Sequence, residues 1–274
     1  MYVGFVVEMR KSYKHIGTCI FCQKSEPEVT FWTRPHTIPQ AMGGKQVGFD
    51  ICDECNHYFG TIDMNIQPHL AVETCVKEVL NVTKYLIDMS QAQHRGEELP
   101  ILKSIYFSIY QKKNLIRFRR TFESTVSFTR TFTRCFKRGL YEMFLQEYHR
   151  QTKDGLNPQF DAIRRFARYN EGNLPVWHLQ FNHGMGIHFS SDESKGLEIP
   201  MNDKVLGDIR DYGMFPLLIR GFWFYLAVTL KANEMWKQYL YQETKELASG
   251  AIFRGVEWLE DIHQVDFTLR RFNT

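Results

Sequence analysis

Residues 19–60 read CIFCQKSEPEVTFWTRPHTIPQAMGGKQVGFDICDECNHYFG, a stretch that begins and ends with a Cys-x-x-Cys pair. Each pair places two thiols on one tight turn, the spacing at which both reach a single tetrahedral ion. The ligands that this spacing predicts for a structural zinc ion are Cys19, Cys22, Cys52 and Cys55. Because four thiolates leave no open position for water, we expect this zinc ion to hold the fold and to take no part in catalysis.

Two disulfide bonds or a redox motif are the alternatives to zinc. The first residues, MYVGFVVEMRKSYK, have no basic region ahead of a long apolar run and therefore predict no export signal. Disulfides are rare inside the cell, and a redox motif needs only one pair of cysteines. The sequence thus favours zinc and a cytoplasmic protein.

The segment between the cysteine pairs carries further ordered signals. His36 is followed by Ile38-Pro39, then by a Gly-Gly turn, and Asn56 directly follows the last cysteine. In kind and order, over about forty residues, these positions resemble the HNH endonucleases with a zinc-stapled ββα-metal site. That motif runs Cys-x-x-Cys, (Glu/Asp)-His-x-Ile-Pro, Gly-Gly, then Cys-x-x-Cys-Asn-x-x-Phe-Gly. The resemblance implies hydrolysis of DNA phosphodiester bonds, with His36 as general base and Asn56 as a ligand of one divalent ion.

Oxygen ligands suit a hard cation, so the ion that the resemblance implies is Mg²⁺ or Mn²⁺. Asp63 lies seven residues after Asn56 and would share its face of a helix, which makes it a second candidate for catalysis and for metal binding. Family members usually have a ligand directly before the histidine, where this chain has Pro35. We therefore expect the ion to rely on Asn56, Asp63 and Asp50; the alternative is a site that has lost its activity.

The net charge of +3 hides a basic middle of the chain, because residues 103–153 contain twelve Lys and Arg against three Glu. Aromatic residues interleave with these charges, as on surfaces that follow a phosphate backbone. The predicted nucleic-acid contacts are Lys112, Lys113, Arg117, Arg119, Arg120, Arg130, Arg134, Lys137 and Arg138. DNA is the expected partner, and RNA is the alternative because an aromatic hairpin stacks single-stranded bases. A second alternative is a solvated helix face above a phenylalanine core.

The remaining patterns predict an α+β fold, in which a helical segment and a small, mostly antiparallel sheet with helices follow the HNH module. Predicted helices cover residues 69–90, 130–152, 160–169, 233–249 and 256–262. Predicted strands cover 101–120 as a hairpin, 176–181, 187–189 and 214–230, and a loop is expected at 91–98. The expected regions are an HNH module over 1–68, a helical and basic hairpin region over 69–153, and an α+β region over 154–274. The apolar run at 214–230 contains an arginine and is too short for a membrane span.

The sequence as a whole predicts an HNH-type endonuclease. The resemblance suggests a prokaryotic or phage setting, in defence or in a mobile element. The competing hypothesis is a catalytically weakened, zinc-stapled module that binds nucleic acid or protein. An unrestrained nuclease would damage its host, so we also expect a regulatory partner or a homo-oligomer, with the restraint in the C-terminal region.

Overall fold

The computed structural model describes residues 11–64, 69–98, 100–110, 115–122, 126–181, 197–249 and 253–265. The helices in these ranges are α1 (Asp53–Gly60), α2 (Val72–Arg95), α3 (Val126–Thr152), α4 (Asp161–Tyr169), α5 (Asp203–Tyr212) and α6 (Ala232–Thr244). The strands are β1 (Phe107–Tyr110), β2 (Leu115–Phe118), β3 (Val176–Phe181), β4 (Met214–Ile219), β5 (Phe222–Ala227) and β6 (Phe253–Trp258).

The N-terminal module is a short ββα unit. Two extended segments pair through an antiparallel bridge between His36 and Val47. The Thr37 amide donates to the Gln46 carbonyl at 3.2 Å, which extends this pairing by one residue. The turn between the segments requires glycine, because a Cβ on Gly44 would lie 2.0 Å from the Ile38 carbonyl oxygen. Helix α1 follows these two segments and completes the ββα unit.

Helix α3 lies at the centre of the molecule. Every residue from 135 to 149 is buried, including five that are Lys, Arg, Glu or His. Helix α2 packs closely along it, since a Cβ on Gly139 would meet the Val76 side chain at 2.2 Å. A helix that is buried all round needs partners on every side, and α3 has the N-terminal module, α2, α4 and the sheet around it.

The second half of the chain forms an antiparallel sheet with the strand order β4-β5-β3-β6. Strand β3 lies inside this sheet, and its Trp177 faces Tyr225 of β5 and Trp258 of β6. One continuous cluster of buried side chains contains residues of the N-terminal module, of α2 and α3, and of the sheet. Because one core crosses the boundaries expected at residues 68 and 153, the division into three regions stays a prediction.

The α+β class, with an antiparallel sheet behind the N-terminal module, is confirmed. The hairpin (β1 and β2), the helices α3 and α4, and the pairing of β4 with β5 also agree with the sequence patterns. No helix among the described residues is both long and apolar enough to cross a bilayer.

Two predictions of local structure were wrong. The loop expected at 91–98 is helical as far as Arg95, because α2 ends only where Gly96 adopts a left-handed conformation with a φ of 68°. The helix expected at 256–262 is instead strand β6 followed by a short turn, because β3 offers an edge with which this segment pairs. The strand expected at 187–189 lies outside the described residues.

Candidate functional site

The four cysteines of the two Cys-x-x-Cys pairs gather at one point. Their sulfur atoms all lie within 4.8 Å of one another, and the Cys22 and Cys52 sulfurs are 3.7 Å apart. A tetrahedron with zinc–sulfur bonds of about 2.3 Å has edges of about 3.8 Å, whereas a disulfide bond measures about 2.05 Å. All four cysteines are free thiols. The cluster therefore fits a structural zinc ion, as the spacing predicts.

The cysteine cluster also fixes the start of α1. The Cys52 sulfur accepts a hydrogen bond from the Cys55 amide and so caps the helix, while the Cys52 amide donates to the Cys19 sulfur at 3.4 Å. Arg168 of α4 donates from Nε to the Cys55 sulfur at 3.3 Å. Donors of this kind stabilise thiolate ligands and hold their orientation.

Two arginines of α4, one turn apart, attach the N-terminal module to the rest of the protein. Arg164 is buried and donates from Nε to the Ile20 carbonyl at 2.7 Å. The guanidinium of Arg168 lies 4.0 Å from the ring centre of Tyr58 in α1 and donates to Glu54 at 2.8 Å. The N-terminal module is therefore held at a fixed position against the body of the molecule.

A cavity of about 320 Å³ lies where the segment 34–41, α1 and the first turns of α2 meet. Its lining residues are Arg34, His36, Pro39, Gln40, Ala41, Asn56, Gly60, Glu73, Thr74 and Lys77. The structure thus brings His36 and Asn56 to the same cavity, although they are twenty positions apart in the chain. Of the three residues expected to be catalytic, these two line it.

His36 is half-buried at the wall of this cavity, where its backbone bridge to Val47 fixes it. Burial and, to a smaller extent, the charge of Arg34 lower the pKa of His36 from its ordinary value. An imidazole with a lowered pKa is neutral at pH 7 and is able to accept a proton. That is the state a general base requires.

Asn56 is held by a small polar network at the start of α1. Its amide nitrogen donates to the Thr33 hydroxyl at 3.2 Å, and that hydroxyl donates to Asp53 at 2.7 Å. This arrangement occupies the nitrogen, so the carbonyl oxygen Oδ1 is the atom that Asn56 presents as a ligand. Amide oxygens are suitable ligands for hard divalent cations.

The structure corrects the argument for Asp63. Helix α1 ends at Gly60 because Thr61 is extended, with a φ of −107° and a ψ of 149°. Asp63 therefore lies beyond the helix and shares no helical face with Asn56. Its carboxylate accepts a hydrogen bond from the Tyr58 hydroxyl at 3.2 Å, and it is not one of the residues that line the cavity.

Asp50 is not available as a metal ligand, which corrects a second prediction. It is fully buried and accepts hydrogen bonds from the backbone amides of residues 15–17 and from His149 at 3.0 Å. The Gly155 amide donates to Nδ1 of His149, so the proton of this imidazole sits on Nε2 and points at Asp50. Burial alone would raise the pKa of Asp50, but these hydrogen bonds outweigh it and lower the pKa to about 2.

Three of the nine predicted nucleic-acid contacts bond inside the protein instead. Arg138 is fully buried and donates to the Ala167 carbonyl at 3.1 Å, and Arg134 donates to the carbonyl oxygens of Asn170 and Gly172. Lys137 is buried against Asn173, and this burial lowers its pKa to about 8. Lys137 and Arg138 lie in the stretch of α3 from residue 135 to residue 149 that is buried on all sides, and Arg134, partly buried one residue before it, is held by its hydrogen bonds to Asn170 and Gly172.

The other six predicted contacts divide into two groups. Arg119, Arg120 and Arg130 are exposed, and their role in binding stays a prediction. Lys112 and Lys113 lie outside the described residues, and the side chain of Arg117 is not described. The phenylalanines between these charges point inward, as expected, since Phe118, Phe128 and Phe132 are buried and in mutual contact.

Sequence reasoning missed Glu73, the acidic residue that lines the cavity. It lies in the first turn of α2, beyond the motif that directs attention to the preceding residues. Burial raises its pKa to about 6, and the charge of Lys77 opposes this shift. No local pattern in the sequence marks Glu73, because it reaches the cavity only through the packing of α2 beside α1.

Comparison with known proteins agrees with this geometry. The family model described as HNH endonuclease matches residues 19–71. Comparisons with curated proteins and with solved structures gave no match. The matched segment contains the whole cysteine cluster, His36 and Asn56. Residues 19–71 thus match the HNH endonuclease family, and within this segment the structure gathers the four cysteines and brings His36 and Asn56 to one cavity.

Proposed function

We propose that the protein is a metal-dependent endonuclease that hydrolyses DNA phosphodiester bonds in the cavity between the segment 34–41, α1 and α2. The observation that carries the proposal is the convergence of His36 and Asn56 on this cavity within an HNH domain. A base that is neutral at pH 7 and an oxygen ligand for a cation are the two groups that this hydrolysis requires. The adjacent cysteine cluster supports the same reading, because it fixes the helix that carries Asn56.

In the proposed reaction His36 takes a proton from the attacking water, and the phosphate lies between His36 and Asn56. Mg²⁺ or Mn²⁺, bound through Asn56 Oδ1, would neutralise the charge that develops on the phosphate and on the leaving oxygen. Arg34 and Lys77 line the same cavity, and their positive charges favour the approach of a phosphate backbone. The zinc ion has a structural role only.

We further propose that DNA passes over the region of the β1–β2 hairpin and the start of α3. The exposed basic residues of this region are Arg119, Arg120 and Arg130. RNA stays the alternative substrate. We also propose a cytoplasmic protein with a regulatory partner or a second copy as restraint and, from the resemblance alone, a prokaryotic or phage setting in defence or in a mobile element. The three-region division at residues 68 and 153 belongs to the same set of proposals.

The test is cleavage of supercoiled plasmid by the purified, zinc-loaded full chain with added Mg²⁺ or Mn²⁺. We expect nicked or linear DNA with the parent protein and none when the divalent ion is omitted. His36→Ala and Asn56→Ala should retain their zinc and their circular dichroism spectrum but lose cleavage. The matched control is His57→Ala, which removes an exposed histidine of α1 that does not line the cavity and should cleave as the parent does.

A second candidate function is a zinc-stapled binding module without catalysis. The observation in its favour is Pro35, which is buried directly before His36 and has no side-chain atom that binds a cation. Retained DNA binding by the parent, with no cleavage under any divalent ion, would favour this module over the enzyme. Competition between duplex DNA and RNA in the same experiment identifies the preferred nucleic acid.

A further inference from the structure

We propose that Glu73 of α2 is a further ligand of the catalytic divalent ion. Its carboxylate would take the place of the ligand that is missing directly before His36, where this chain has Pro35. The inference rests on the proposed function of the cavity, to which it adds a residue outside the matched domain. Glu73 lies two positions beyond the last residue of that match.

The position of Glu73 follows from the way α2 begins. Glu73 is the second residue of α2 and lines the cavity together with Asn56. Its Oε2 atom lies 3.5 Å from the point where a Cβ on Gly60 would be. Gly60 comes four residues after Asn56 on α1, so both lie on the same face of that helix. The carboxylate of Glu73 therefore lies against the helix face that presents Asn56.

The bonding state of Glu73 differs from that of an acidic residue with a structural role. Within the described residues its carboxylate makes no hydrogen bond and no ion pair, although Lys77 is near enough to affect its pKa. Glu78, on the same helix, is buried and accepts hydrogen bonds from Ser104 and from the Ile105 amide. A partly buried carboxylate without a partner is unfavourable, and a hard cation offsets that cost.

The other acidic candidates near this cavity are already occupied. Asp50 is fully buried, with its oxygens bonded to backbone amides and to His149, and Asp63 lies beyond the end of α1, bonded to Tyr58. Glu73 is the one acidic residue among those that line the cavity. Together with Asn56 Oδ1 it provides two hard oxygen ligands, and water and phosphate oxygens complete the shell of Mg²⁺ or Mn²⁺.

The experiment measures Mn²⁺ binding by electron paramagnetic resonance, with the zinc-loaded full chain and without DNA. The variants are Glu73→Gln and Glu73→Asp, and Asp63→Asn tests the rival ligand. Glu54→Gln is the matched control, because Glu54 lies two residues from Asn56 on α1 with its side chain 68% exposed and does not line the cavity. Glu54→Gln removes the same charge from the helix that carries Asn56. Zinc content and circular dichroism verify that each variant is folded.

We expect Glu73→Gln to weaken Mn²⁺ binding by about tenfold or more, as the loss of a charged ligand does. Glu73→Asp should weaken it by less, since the shorter carboxylate still carries the charge. Glu54→Gln and Asp63→Asn should bind Mn²⁺ within about twofold of the parent. Equal affinities of the parent and Glu73→Gln would overturn the inference, as would an equal loss in Glu54→Gln, which would show a general effect of charge.

The readout separates this inference from the proposed function. If the parent cleaves plasmid and Glu73→Gln binds Mn²⁺ like the parent, the endonuclease proposal stands and the role of Glu73 fails. If the parent cleaves nothing but its Mn²⁺ affinity depends on Glu73, the ion site stands and the endonuclease proposal fails.

Discussion

The interior around α3 and the cavity beside α1 both contain charged and titratable side chains, but they differ in how these side chains are bonded. Around α3, Arg138 and the pair of Asp50 with His149 bond to groups of the protein itself. At the cavity, the side chains of His36 and Glu73 make no hydrogen bond within the described ranges. His36 and Glu73 are only partly buried and line the cavity, so their side chains are accessible from it. Side chains that bond to the protein itself stabilise the fold, whereas side chains that face the cavity without such bonds are able to contact a ligand.

The largest expected effect comes from the cysteine cluster. Cys52→Ser removes one zinc ligand together with the cap of α1, so we expect loss of bound zinc, a large fall in the melting temperature and no cleavage. The measurements are zinc content and thermal unfolding. Cys75→Ala is the control, because Cys75 is buried in α2 outside the cluster and its variant should keep one zinc ion per chain. Full zinc content in Cys52→Ser would contradict the assignment of this ligand.

The second largest effect is expected from a change to the buried pair of Asp50 and His149. Asparagine tolerates the positive φ of 57° at this position, so Asp50→Asn changes the charge without straining the backbone. The variant loses the carboxylate charge to which three backbone amides and His149 donate hydrogen bonds. We therefore expect the free energy of unfolding at pH 7 to fall by about 3 kcal/mol. The pKa of Asp50 is lowered to about 2, so its contribution is complete above pH 4 and disappears as the pH falls towards 2.

Urea unfolding of the parent and of Asp50→Asn between pH 7 and pH 2 measures both effects. The difference in stability between the two proteins should shrink as the pH falls from 4 to 2. A difference that does not depend on pH would show that the charge of Asp50 does not stabilise the fold.

The third prediction concerns the pH dependence of cleavage. Because burial and Arg34 lower the pKa of His36, the base form persists below pH 6.5, and we expect kcat/KM to fall only below that pH. Arg34→Gln removes a positive charge and should move this acid limb to higher pH. An acid limb above pH 7 in the parent, or one that moves to lower pH in Arg34→Gln, would exclude His36 as the titrating base.

The smallest effects are expected from exposed basic residues. Arg119→Ala, Arg120→Ala and Arg130→Ala should each weaken DNA binding and lower the salt slope of the affinity by up to about one unit, since each removes a charge that neutralises one phosphate. Arg134→Ala should leave this slope unchanged and lower the melting temperature, because Arg134 bonds to Asn170 and Gly172. Fluorescence anisotropy over a range of salt, in the His36→Ala background, tests both statements. An unchanged slope in all three exposed variants would remove this surface from the DNA path.

Local sequence patterns predicted the features that depend on spacing alone. Four cysteines at paired spacing predicted the cluster, and the phenylalanines that recur every four residues predicted α3 and its buried face. The features that depend on tertiary packing were not visible in the sequence. Counting charges did not reveal that Arg138 lies in the interior, and helical spacing did not reveal that α1 stops before Asp63. Glu73 was missed for the same reason, since only the packing of α2 beside α1 brings it to the cavity.

The most direct test of the central claim compares two histidines of opposite bonding state, His36 at the cavity and His149 beside Asp50. The measurement is the plasmid cleavage rate of His36→Ala at a temperature at which it is fully folded, with the melting temperatures of both alanine variants beside it. We predict that His36→Ala loses at least about a hundredfold in rate and keeps the parent's melting temperature, whereas His149→Ala melts several degrees lower. A fully folded His36→Ala that cleaves at the parent's rate would contradict the account.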